Sequence, residues 1–459
     1  MNRLLQEFSR HESVLILGFG KEGQSTLQLL MKHFPGIRLG IADRNTGVAE
    51  ILKHNFPLAH VQLHLGEGYL DAMKSYSLVV KSPGVALPDA TDPMIREKVT
   101  SQTDMMLKAF HRQIIGVTGT KGKSTTTSLV HHLLREAGKD TLLVGNIGLP
   151  PFDHLEAISG DTLVAFELSS HQLEDTSHGP HISVLLNLYP EHLDRYSSLQ
   201  AYYDAKMKIL TGQLDGDVFI FNEDIPEIAH RITLLGLQRN YLGFSSGIEV
   251  QEGCFLNGDA IMYVHNGLAE SFITVTDQFA LKGKHNRMNM MAGILAGKAA
   301  GLKDDEIRSG LLTFKGLEHR LEYVGEFRGI HFYNDSIATI PESAIAAVRS
   351  LPDTDTMILG GFDRMLSYCQ LVDFLAGSGV RNLIFLGKAG IRMHELFRLK
   401  DIKDKNLWLV DTLEEAFELI PVVTAPGKIC LLSPAAASYD IFRNFEERGA
   451  IFKKLARSL

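Results

Sequence analysis

The sequence predicts an α/β protein of three domains, and three observations support that prediction. The chain has 459 residues, while a domain averages roughly 150 residues. Short apolar runs typical of buried strands alternate with helical patterns along most of the chain. Glycine-rich loops follow several of these runs. The simplest division places the domains at residues 1–102, 103–316 and 317–459.

Composition excludes several classes of protein. Hydrophobic residues make up 45% and charged residues 22% of the chain, as in ordinary globular proteins. A net charge of -8 gives no overall attraction to nucleic acid or to an anionic membrane. Cys254, Cys369 and Cys430 lie far apart, which fits a reducing compartment rather than a disulfide framework or a zinc site. No apolar stretch approaches the roughly 18 residues of a membrane span. We therefore expect a cytoplasmic protein, with a monomer favoured.

The first domain begins with the strand SVLIL, a glycine loop at Gly18, Gly20 and Gly23, and a helix. Asp43 ends the next predicted strand. Such a loop lets a phosphate approach the helix N-terminus, and the acidic residue can accept hydrogen bonds from a hydroxyl-bearing ring. This pattern indicates a Rossmann-like domain. It is compatible with a nicotinamide cofactor, or with a glycine turn that serves only helix–strand packing.

The second domain begins with the strand IIGVT and the loop Gly119–Thr125, GTKGKST, before a helix. Backbone N–H groups of such a loop surround a polyphosphate, Lys123 reaches the β- and γ-phosphates, and the Ser124 hydroxyl binds Mg²⁺. The usual first glycine of this pattern is replaced by Val117. The loop therefore predicts a variant ATPase-type phosphate loop that binds ATP or GTP.

Polar residues follow two further strands of this domain. Glu167 ends TLVAFE, and His192 and Asp194 follow SVLLNL. Carboxyl ends of adjacent parallel strands meet at one crevice, so all three are candidate metal ligands. Each alone is a weak signal, and a lone His after a strand is more typical of a surface or capping residue, but their coincidence favours a metal site. Lys206 lies in a predicted helix beside Lys208, where a solvated lysine is the simplest interpretation.

Residues 217–280 contain short strands between Gly, Asn and Asp turns, which predict a small antiparallel elaboration. From residue 317 a third, Rossmann-like α/β unit follows. Its predicted strands lie in IHFYNDS, TMILGG, NLIFLG, NLWLVD and KICLLSP.

Seven motifs, in matching order from the phosphate loop almost to the C-terminus, resemble those of the Mur ligases. They are GVTGTKGKSTTT (116–127), ELSSHQLE (167–174), NLYPEHLDRY (187–196), GKHNRMNMMAG (283–293), GLEHRLEYV (316–324), YNDSIAT (333–339) and LSPAAASYDIFRNFEERGAIF (432–452). The last motif is most similar to that of the members that add glutamate to UDP-N-acetylmuramoyl-L-alanine in cytoplasmic peptidoglycan precursor synthesis.

The resemblance implies a site for each substrate. The first domain would hold a uridine diphosphate instead of NAD, through Gly18, Phe19, Gly20, Lys21, Asp43, Arg44, Ser82, Pro83 and Gly84, joined by Asn146, Ser169 and Gln172. The nucleotide site would comprise Gly119, Thr120, Lys121, Gly122, Lys123, Ser124 and Thr125 with Asn286, Asn289, His319, Arg320 and Asp335. Two Mg²⁺ ions are implied, bound by Ser124, Glu167, His192 and a carbamate on Lys206. The catalytic set would be Lys123, Glu167, His192 and Lys206. The amino acid would meet Thr339, Arg364, Ser433 and Phe442.

The implied reaction is ATP-dependent amide formation through an acyl phosphate, with glutamate, D-glutamate favoured, as the incoming amine. Two departures bear on that amino acid. Ile337 replaces a lysine after NDS, and Arg364 stands where the family usually has a lysine. An L-glutamate-adding relative, or a ligase for another amino acid or for folate, therefore remains an alternative. A nucleotide-switched binding protein and an NAD-dependent oxidoreductase are the alternatives from other classes.

Overall fold

The computed structural model of the chain describes residues 2–88, 90–145, 150–191, 195–276, 278–281, 283–400 and 402–459. Its strands form sheets of five, nine and six strands, and the predicted α/β architecture is confirmed. The chain divides into two compact units, Met1–Phe279 with Lys284–Phe314, and Ala280–Gly283 with Lys315–Leu459. The first two sheets share one unit and the third lies in the other. No helix in the described ranges combines the length and apolar character needed to cross a bilayer.

The first sheet is parallel throughout, in the order β3-β2-β1-β4-β5 typical of Rossmann-like domains. Every residue of its central strand, SVLIL, is buried, as a strand covered on both faces requires. The strands are β1 (Ser13–Leu17), β2 (Arg38–Asp43), β3 (Val61–Leu65), β4 (Leu78–Lys81) and β5 (Val99–Thr100). The helices are α1 (Asn2–Ser9), α2 (Lys21–His33), α3 (Val48–Asn55), α4 (Pro93–Arg96) and α5 (Gln102–Phe110), with a 3₁₀ helix at Tyr69–Ser75.

The second sheet has the order β14-β13-β12-β11-β10-β9-β6-β8-β7. Its strands are β6 (Ile114–Thr118), β7 (Thr141–Gly145), β8 (Leu163–Glu167), β9 (Ile182–Leu185), β10 (Val218–Asn222), β11 (Asn240–Ser245), β12 (Gly253–Asn257), β13 (Ala260–His265) and β14 (Leu268–Thr274). The helices are α6 (Lys123–Glu136), α7 (Ser170–Leu173), α8 (Leu199–Thr211), α9 (Pro226–Leu235), α10 (Lys284–Ala299) and α11 (Asp304–Thr313), with 3₁₀ helices at His111–Gln113 and Pro151–Ala157. One hydrophobic cluster continues from the first sheet into this one and includes the Phe8–Phe152 contact, with ring centroids 6.2 Å apart.

The antiparallel elaboration is smaller than the sequence pattern predicts. Among the described residues of this segment, only β12, β13 and β14 pair antiparallel, while β10 and β11 run parallel to β9 and extend the central sheet. The reason is helix α9, which provides the crossover that parallel strands need. Pro226 occupies its first turn, and Gly236 closes it at φ 58°. Both are ordinary helix boundary signals, and the expectation of short strands in this segment missed them.

The third sheet has the order β15-β16-β20-β17-β18-β19, antiparallel only between β15 and β16. All five strands predicted here are present, and β20, the last in sequence, lies between β16 and β17. The strands are β15 (Glu322–Phe327), β16 (Ile330–Asn334), β17 (Thr354–Gly360), β18 (Asn382–Leu386), β19 (Asn406–Val410) and β20 (Ile429–Leu432). The helices are α12 (Pro341–Ser350), α13 (Cys369–Ala376), α14 (Gly387–Leu399), α15 (Leu413–Val423) and α16 (Phe445–Arg457).

Candidate active site

The phosphate loop joins β6 to α6, as predicted. Gly119 and Gly122 have φ angles of 153° and 87°, a region that L side chains rarely adopt. A Cβ at Gly122 would also lie 2.6 Å from Asn289 Oδ1. The variant first position has a simple cause, because Val117 is a fully buried residue of β6 and the loop starts only after Thr118. The first turn of α6 presents Lys123, Ser124 and its backbone N–H groups beside this loop, a suitable site for an anion.

Two lysines converge on one carbonyl of the loop. Lys123 Nζ donates to Gly119 O at 2.9 Å and to Thr120 O at 3.1 Å, and Lys206 Nζ donates to the same Gly119 oxygen at 2.9 Å. Lys206 is only 1% exposed, whereas Lys208 is exposed. The interpretation of Lys206 as a solvated lysine is therefore wrong. Helix α8 turns this side chain into the protein beneath the phosphate loop.

Burial changes the chemistry of Lys206. Loss of hydration, and then the positive charge of Lys123, lower its pKa to about 7, against the opposing effect of Glu191 and Glu167. A large fraction of this amine is therefore neutral near pH 7. The Lys206 Nζ also lies 4.9 Å from the centroid of the Tyr202 ring. An uncharged primary amine in this position is a nucleophile, which an exposed lysine at neutral pH is not.

Glu167 is the one predicted metal ligand from a strand end that lies within the described residues. It ends β8, is 1% exposed, and pairs in register with Val117 of β6, beside the phosphate loop. Predicted residues His192, Asp194 and Asn146 lie outside the described residues. Glu167, the Ser124 hydroxyl and Lys206 are thus the predicted metal-binding groups that the structure places around this loop.

Other residues predicted to bind the nucleotide form hydrogen bonds within the phosphate loop or lie on elements next to it. The Thr120 hydroxyl accepts the Tyr189 N–H at 3.0 Å and lies 3.2 Å from the Tyr202 hydroxyl. Lys121 is exposed and its Nζ donates to Glu191 at 2.6 Å. On α10, Asn289 donates to Asn286 Oδ1 at 3.1 Å, and the close approach of Asn289 to Gly122 confirms that the two elements adjoin.

In the first domain, the glycine loop is held by Asp43 and Ser82. Asp43 Oδ2 accepts the Phe19 N–H at 2.7 Å, and the Ser82 hydroxyl donates to Gly18 O at 2.8 Å. The Phe19 side chain is buried against Phe56 and only its backbone belongs to the loop. By contrast, Gly20, Lys21, Arg44 and Gly84 are accessible or open at the Cβ position. Asp43 and Ser82 therefore hold the backbone of the glycine loop in place. The accessible face of the loop can still contact a ligand.

The turn Ser82–Gly84 is fastened to the central domain by charged residues that sequence reasoning did not identify. Arg195 donates to Pro83 O at 2.9 Å, to Gly84 O at 3.3 Å and to Glu174 at 2.7 Å. Lys81, 2% exposed, lies 3.3 Å from Glu174 and 2.9 Å from Asp175. A lysine inside an otherwise apolar strand, LVVK, was the available signal, because a buried lysine requires a partner.

The predicted residues Ser169 and Gln172 form a capping box on α7. Ser169 Oγ accepts the Gln172 N–H, and Gln172 Oε1 accepts the Ser169 N–H at 3.0 Å. Gln172 Nε2 also donates to Glu22 at 3.3 Å. Burial raises the pKa of Glu22 to about 7. The structure thus brings these two residues to the boundary between the first two sheets.

In the C-terminal unit, Asp335 and Ser433 lie together after β16 and β20. The Ser433 hydroxyl donates to Asp335 Oδ2 at 2.7 Å, and the Leu321 N–H donates to Oδ1 at 3.2 Å. Burial raises the pKa of Asp335 to about 7 despite these hydrogen bonds. The predicted amino-acid residue Ser433 is completely buried, so its hydroxyl orients Asp335.

The adjoining segment holds His319 in a strained conformation. His319 and Leu321 have φ angles of 62° and 44°, an arrangement that costs free energy and is found at functional sites. Asn334 Nδ2 donates to His319 Nδ1 at 2.9 Å, and burial lowers the pKa of the imidazole. Arg320 between them is exposed. The ring is therefore neutral at pH 7 and the guanidinium is accessible.

The remaining predicted amino-acid residues divide between a surface site and the core. Arg364 is exposed and donates to Thr339 O at 2.7 Å, so these two lie together. Phe442 packs at the edge of an apolar cluster with Phe332 and Phe452. Its ring is partly buried against that cluster.

Arg448 organises the loops around this site, and no sequence pattern singled it out. It is 1% exposed and donates to the carbonyls of Ser336, Ala436, Ala437 and Gly360, at 2.8, 3.1, 3.3 and 3.4 Å. These carbonyls belong to the loops that follow β16, β20 and β17. One buried guanidinium from α16 thus links the carbonyls of three neighbouring chain segments by hydrogen bonds.

Comparison with known proteins adds the decisive observation. Residues 117–297 match the model of the Mur ligase middle domain, and residues 12–106 match that of the Mur ligase MurD-like N-terminal domain. A UDP-N-acetylmuramoylalanine--D-glutamate ligase of Pelotomaculum thermopropionicum is 35% identical over 464 aligned positions, covering 99% of each chain. The chain belongs to the Mur ligase family. A ligase of the same name from Desulfitobacterium hafniense strain Y51 is 34% identical, covering 97% of this chain and 98% of its own.

Solved Mur ligase structures have the same fold. MurC of Thermotoga maritima gives a TM-score of 0.56 at 17% identity, covering 96% of this chain and 99% of its own. MurF of the same organism, in complex with ADP, gives 0.55 at 16% identity, covering 98% and 96%. The family inferred from the seven motifs is confirmed, and with it the ligase class. The oxidoreductase alternative is thereby removed.

Proposed function

We propose that this Mur ligase joins D-glutamate to UDP-N-acetylmuramoyl-L-alanine, at the expense of ATP, in cytoplasmic peptidoglycan precursor synthesis. The structural observation that carries the proposal is the placement of Lys206. A lysine that is 1% exposed donates to the phosphate loop beside Lys123, with Glu167 at the neighbouring strand end. A loop that only bound nucleotide would gain nothing from a second, buried amine.

The reaction must first activate a carboxylate. Its oxygen is a poor leaving group, so the γ-phosphoryl group of ATP is transferred to it and an acyl phosphate forms. The amine of glutamate then attacks the acyl carbon, a tetrahedral intermediate forms, and phosphate leaves with the P–O bond intact. Negative charge develops on oxygen in both steps, and Lys123 and the N-terminus of α6 lie where they can stabilise it.

Lys206 serves in this proposal as a carbamate. Its neutral amine adds to CO₂, one N–H proton is released, and an anionic carboxylate forms on Nζ. A pKa of about 7 makes the amine available for that step. Glu167, Ser124 and the carbamate then supply oxygen ligands of the kind Mg²⁺ prefers. Mg²⁺ bound there would neutralise phosphate charge. His192 belongs to this proposed ligand set by resemblance.

The other substrates are assigned to the two remaining sites. The open face of the glycine loop, with Arg44 and the turn Ser82–Gly84, receives the uridine diphosphate. Arg364 supplies the cation for a glutamate carboxylate, because a guanidinium binds carboxylates with two parallel hydrogen bonds. Arg364 stands where the family pattern usually has a lysine. By resemblance, Asp335 belongs to the proposed nucleotide-binding set.

Phosphate release tests the proposal. The purified full-length chain with ATP and Mg²⁺ should release phosphate only when both UDP-N-acetylmuramoyl-L-alanine and D-glutamate are present. Lys206→Ala should abolish this release, and Lys208→Ala, two residues further along the same helix, should preserve it. Equal release without either co-substrate would refute the ligase and support a nucleotide-switched protein. Faster release with L-glutamate than with D-glutamate would assign the other enantiomer.

A further inference from the structure

A second polar cluster lies at the N-terminal ends of β6, β9 and β10 in the central sheet, at the other end of these strands from the phosphate loop. His111 precedes β6, His181 precedes β9 and Asp217 precedes β10. These strands are adjacent and parallel, and the pairing continues past their ends. The His181 N–H donates to His111 O at 3.1 Å, and the Val218 N–H donates to His181 O at 2.9 Å. The phosphate loop follows the other end of β6, about 17 Å away at about 3.3 Å per residue.

The side chains of this cluster converge on one point. His181 Nδ1 lies 2.7 Å from Asp217 Oδ1, and His111 Nε2 lies 3.1 Å from the same oxygen. The donor atoms of the three residues all lie within 4.8 Å of one another. Tetrahedral zinc with bonds of about 2.0–2.1 Å holds its ligand atoms about 3.3 Å apart. Small side-chain adjustments would therefore admit an ion.

The surroundings orient the cluster for metal binding. His111 Nδ1 lies 2.8 Å from the Gly179 carbonyl, which can only accept, so this nitrogen carries a proton and Nε2 is directed toward Asp217. Such a carbonyl partner is the usual outer support of a metal-bound histidine. Asp217 Oδ2 accepts the Leu214 N–H at 2.6 Å. Asp217 is 1% exposed, while the histidines are 14% and 23% exposed. The carboxylate is fixed inside and the open side faces solvent.

We propose that His111, His181 and Asp217 form a binding site for a divalent transition-metal ion of the zinc type, with water as the fourth ligand. Two imidazoles and one carboxylate suit zinc, whereas Mg²⁺ prefers oxygen ligands and octahedral geometry. The site is separate from the phosphate loop. A bound metal ion would link the N-terminal ends of β6, β9 and β10 and stabilise the central sheet. It would take no part in the ligase reaction.

Cobalt spectroscopy tests this site. The full-length chain, freed of metal with a chelator, is titrated with Co²⁺, whose tetrahedral complexes absorb strongly in the visible range. We expect one equivalent of tetrahedral Co²⁺, displaced by Zn²⁺. His181→Gln should abolish this spectrum. Glu167→Gln, at the phosphate loop, should retain it. The matched control is His178→Gln, because His178 pairs with Asp104 at 3.0 Å and belongs to no three-residue cluster among the described residues.

The outcomes are distinct. Absence of a tetrahedral spectrum from the native chain would overturn the proposal and leave a hydrogen-bonded His–Asp–His cluster. A spectrum lost in Glu167→Gln and kept in His181→Gln would also overturn it, by assigning the ion to the phosphate-loop site. If His111→Gln folds poorly, His181→Gln still decides the question, because the His181 ring is more exposed than the His111 ring. Zn²⁺ should raise the melting temperature of the native chain and not that of His181→Gln, whose Mg²⁺-supported phosphate release should be unchanged.

Discussion

Replacing Asp335 with asparagine should stabilise the C-terminal unit while it removes activity. The carboxyl group is 5% exposed, and burial raises its pKa from 3.8 to about 7. At pH 8 the folded chain therefore holds a carboxylate that has lost most of its hydration. A rise of about three pKa units corresponds to at most about 4 kcal/mol. Asparagine is neutral and of the same shape, and a weakened hydrogen bond to Ser433 or Leu321 costs about 1 kcal/mol. We expect a net gain of about 2–3 kcal/mol.

The sign of the pH dependence follows from proton binding. Between about pH 4 and pH 7 the unfolded Asp335 has lost its proton while the folded one retains it. The contribution of Asp335 to the free energy of unfolding must therefore fall as pH rises through this window, and this contribution must stay low above it. The advantage of Asp335→Asn should accordingly be small near pH 4 and largest above pH 7.

The single tryptophan makes the measurement specific. Trp408 lies in β19, in the same compact unit as Asp335, so its fluorescence during urea unfolding reports on that unit. Glu22, whose pKa is also raised to about 7, lies in the other unit. Asp353→Asn is the matched control, because Asp353 is exposed and its bond to Lys428 holds its pKa low. Asp353→Asn should not raise the free energy of unfolding. Equal urea midpoints for native and Asp335→Asn at pH 8 would refute the reasoning.

Three further predictions concern the other sites. Gly23→Ala should lower the free energy of unfolding by about 1–3 kcal/mol, measured by urea denaturation followed by circular dichroism, because its Cβ would lie 2.2 Å from Gly18 O. Gly20→Ala, whose Cβ would have no atom of the described residues within 4 Å, should leave the free energy of unfolding unchanged, and equal losses would contradict this packing argument. Arg195→Lys should raise KM for the UDP substrate about tenfold with little change in kcat or in the KM for ATP, since an ammonium cannot bridge both carbonyls of the turn and Glu174. Phosphate release should rise between pH 6 and pH 8, and should respond to bicarbonate, because Lys206 becomes neutral in this range. A carbamate signal from ¹³CO₂ in the native chain but not in Lys206→Ala would support carbamate formation on Lys206. Absence of this signal from both chains would exclude the modification.

The parts predicted correctly from sequence are those set by neighbouring residues. Gly119, Gly122 and Lys123 form their loop because glycine conformation, a preceding strand and a following helix are all local features. The same holds for the five predicted strands of the six-stranded third sheet, each bounded by Gly, Asn or Asp. Helix α9 had equally local signals in Pro226 and Gly236, so that error was one of interpretation.

The features that residue patterns alone did not reveal depend on distant contacts. Lys206 lies 87 residues from the Gly119 carbonyl that it reaches, and its burial follows from the packing of α8 under the loop. Arg448 reaches back 112 residues to Ser336. Ser433, predicted to meet the amino acid, donates a hydrogen bond to Asp335, 98 residues earlier in the chain. No spacing rule along the chain contains such information.

The position of β20 constrains how the protein is made. This strand, Ile429–Leu432, forms the middle of the third sheet and pairs with both β16 and β17, which were synthesised some 70 residues or more before it. β16 and β17 therefore emerge from the ribosome with the edges that face β20 unpaired, and they must wait until β20 has been made. The first two sheets draw on residues up to about 314 and face no such delay. Nascent chains that stall late in translation would thus carry a folded phosphate loop and an open, aggregation-prone C-terminal sheet.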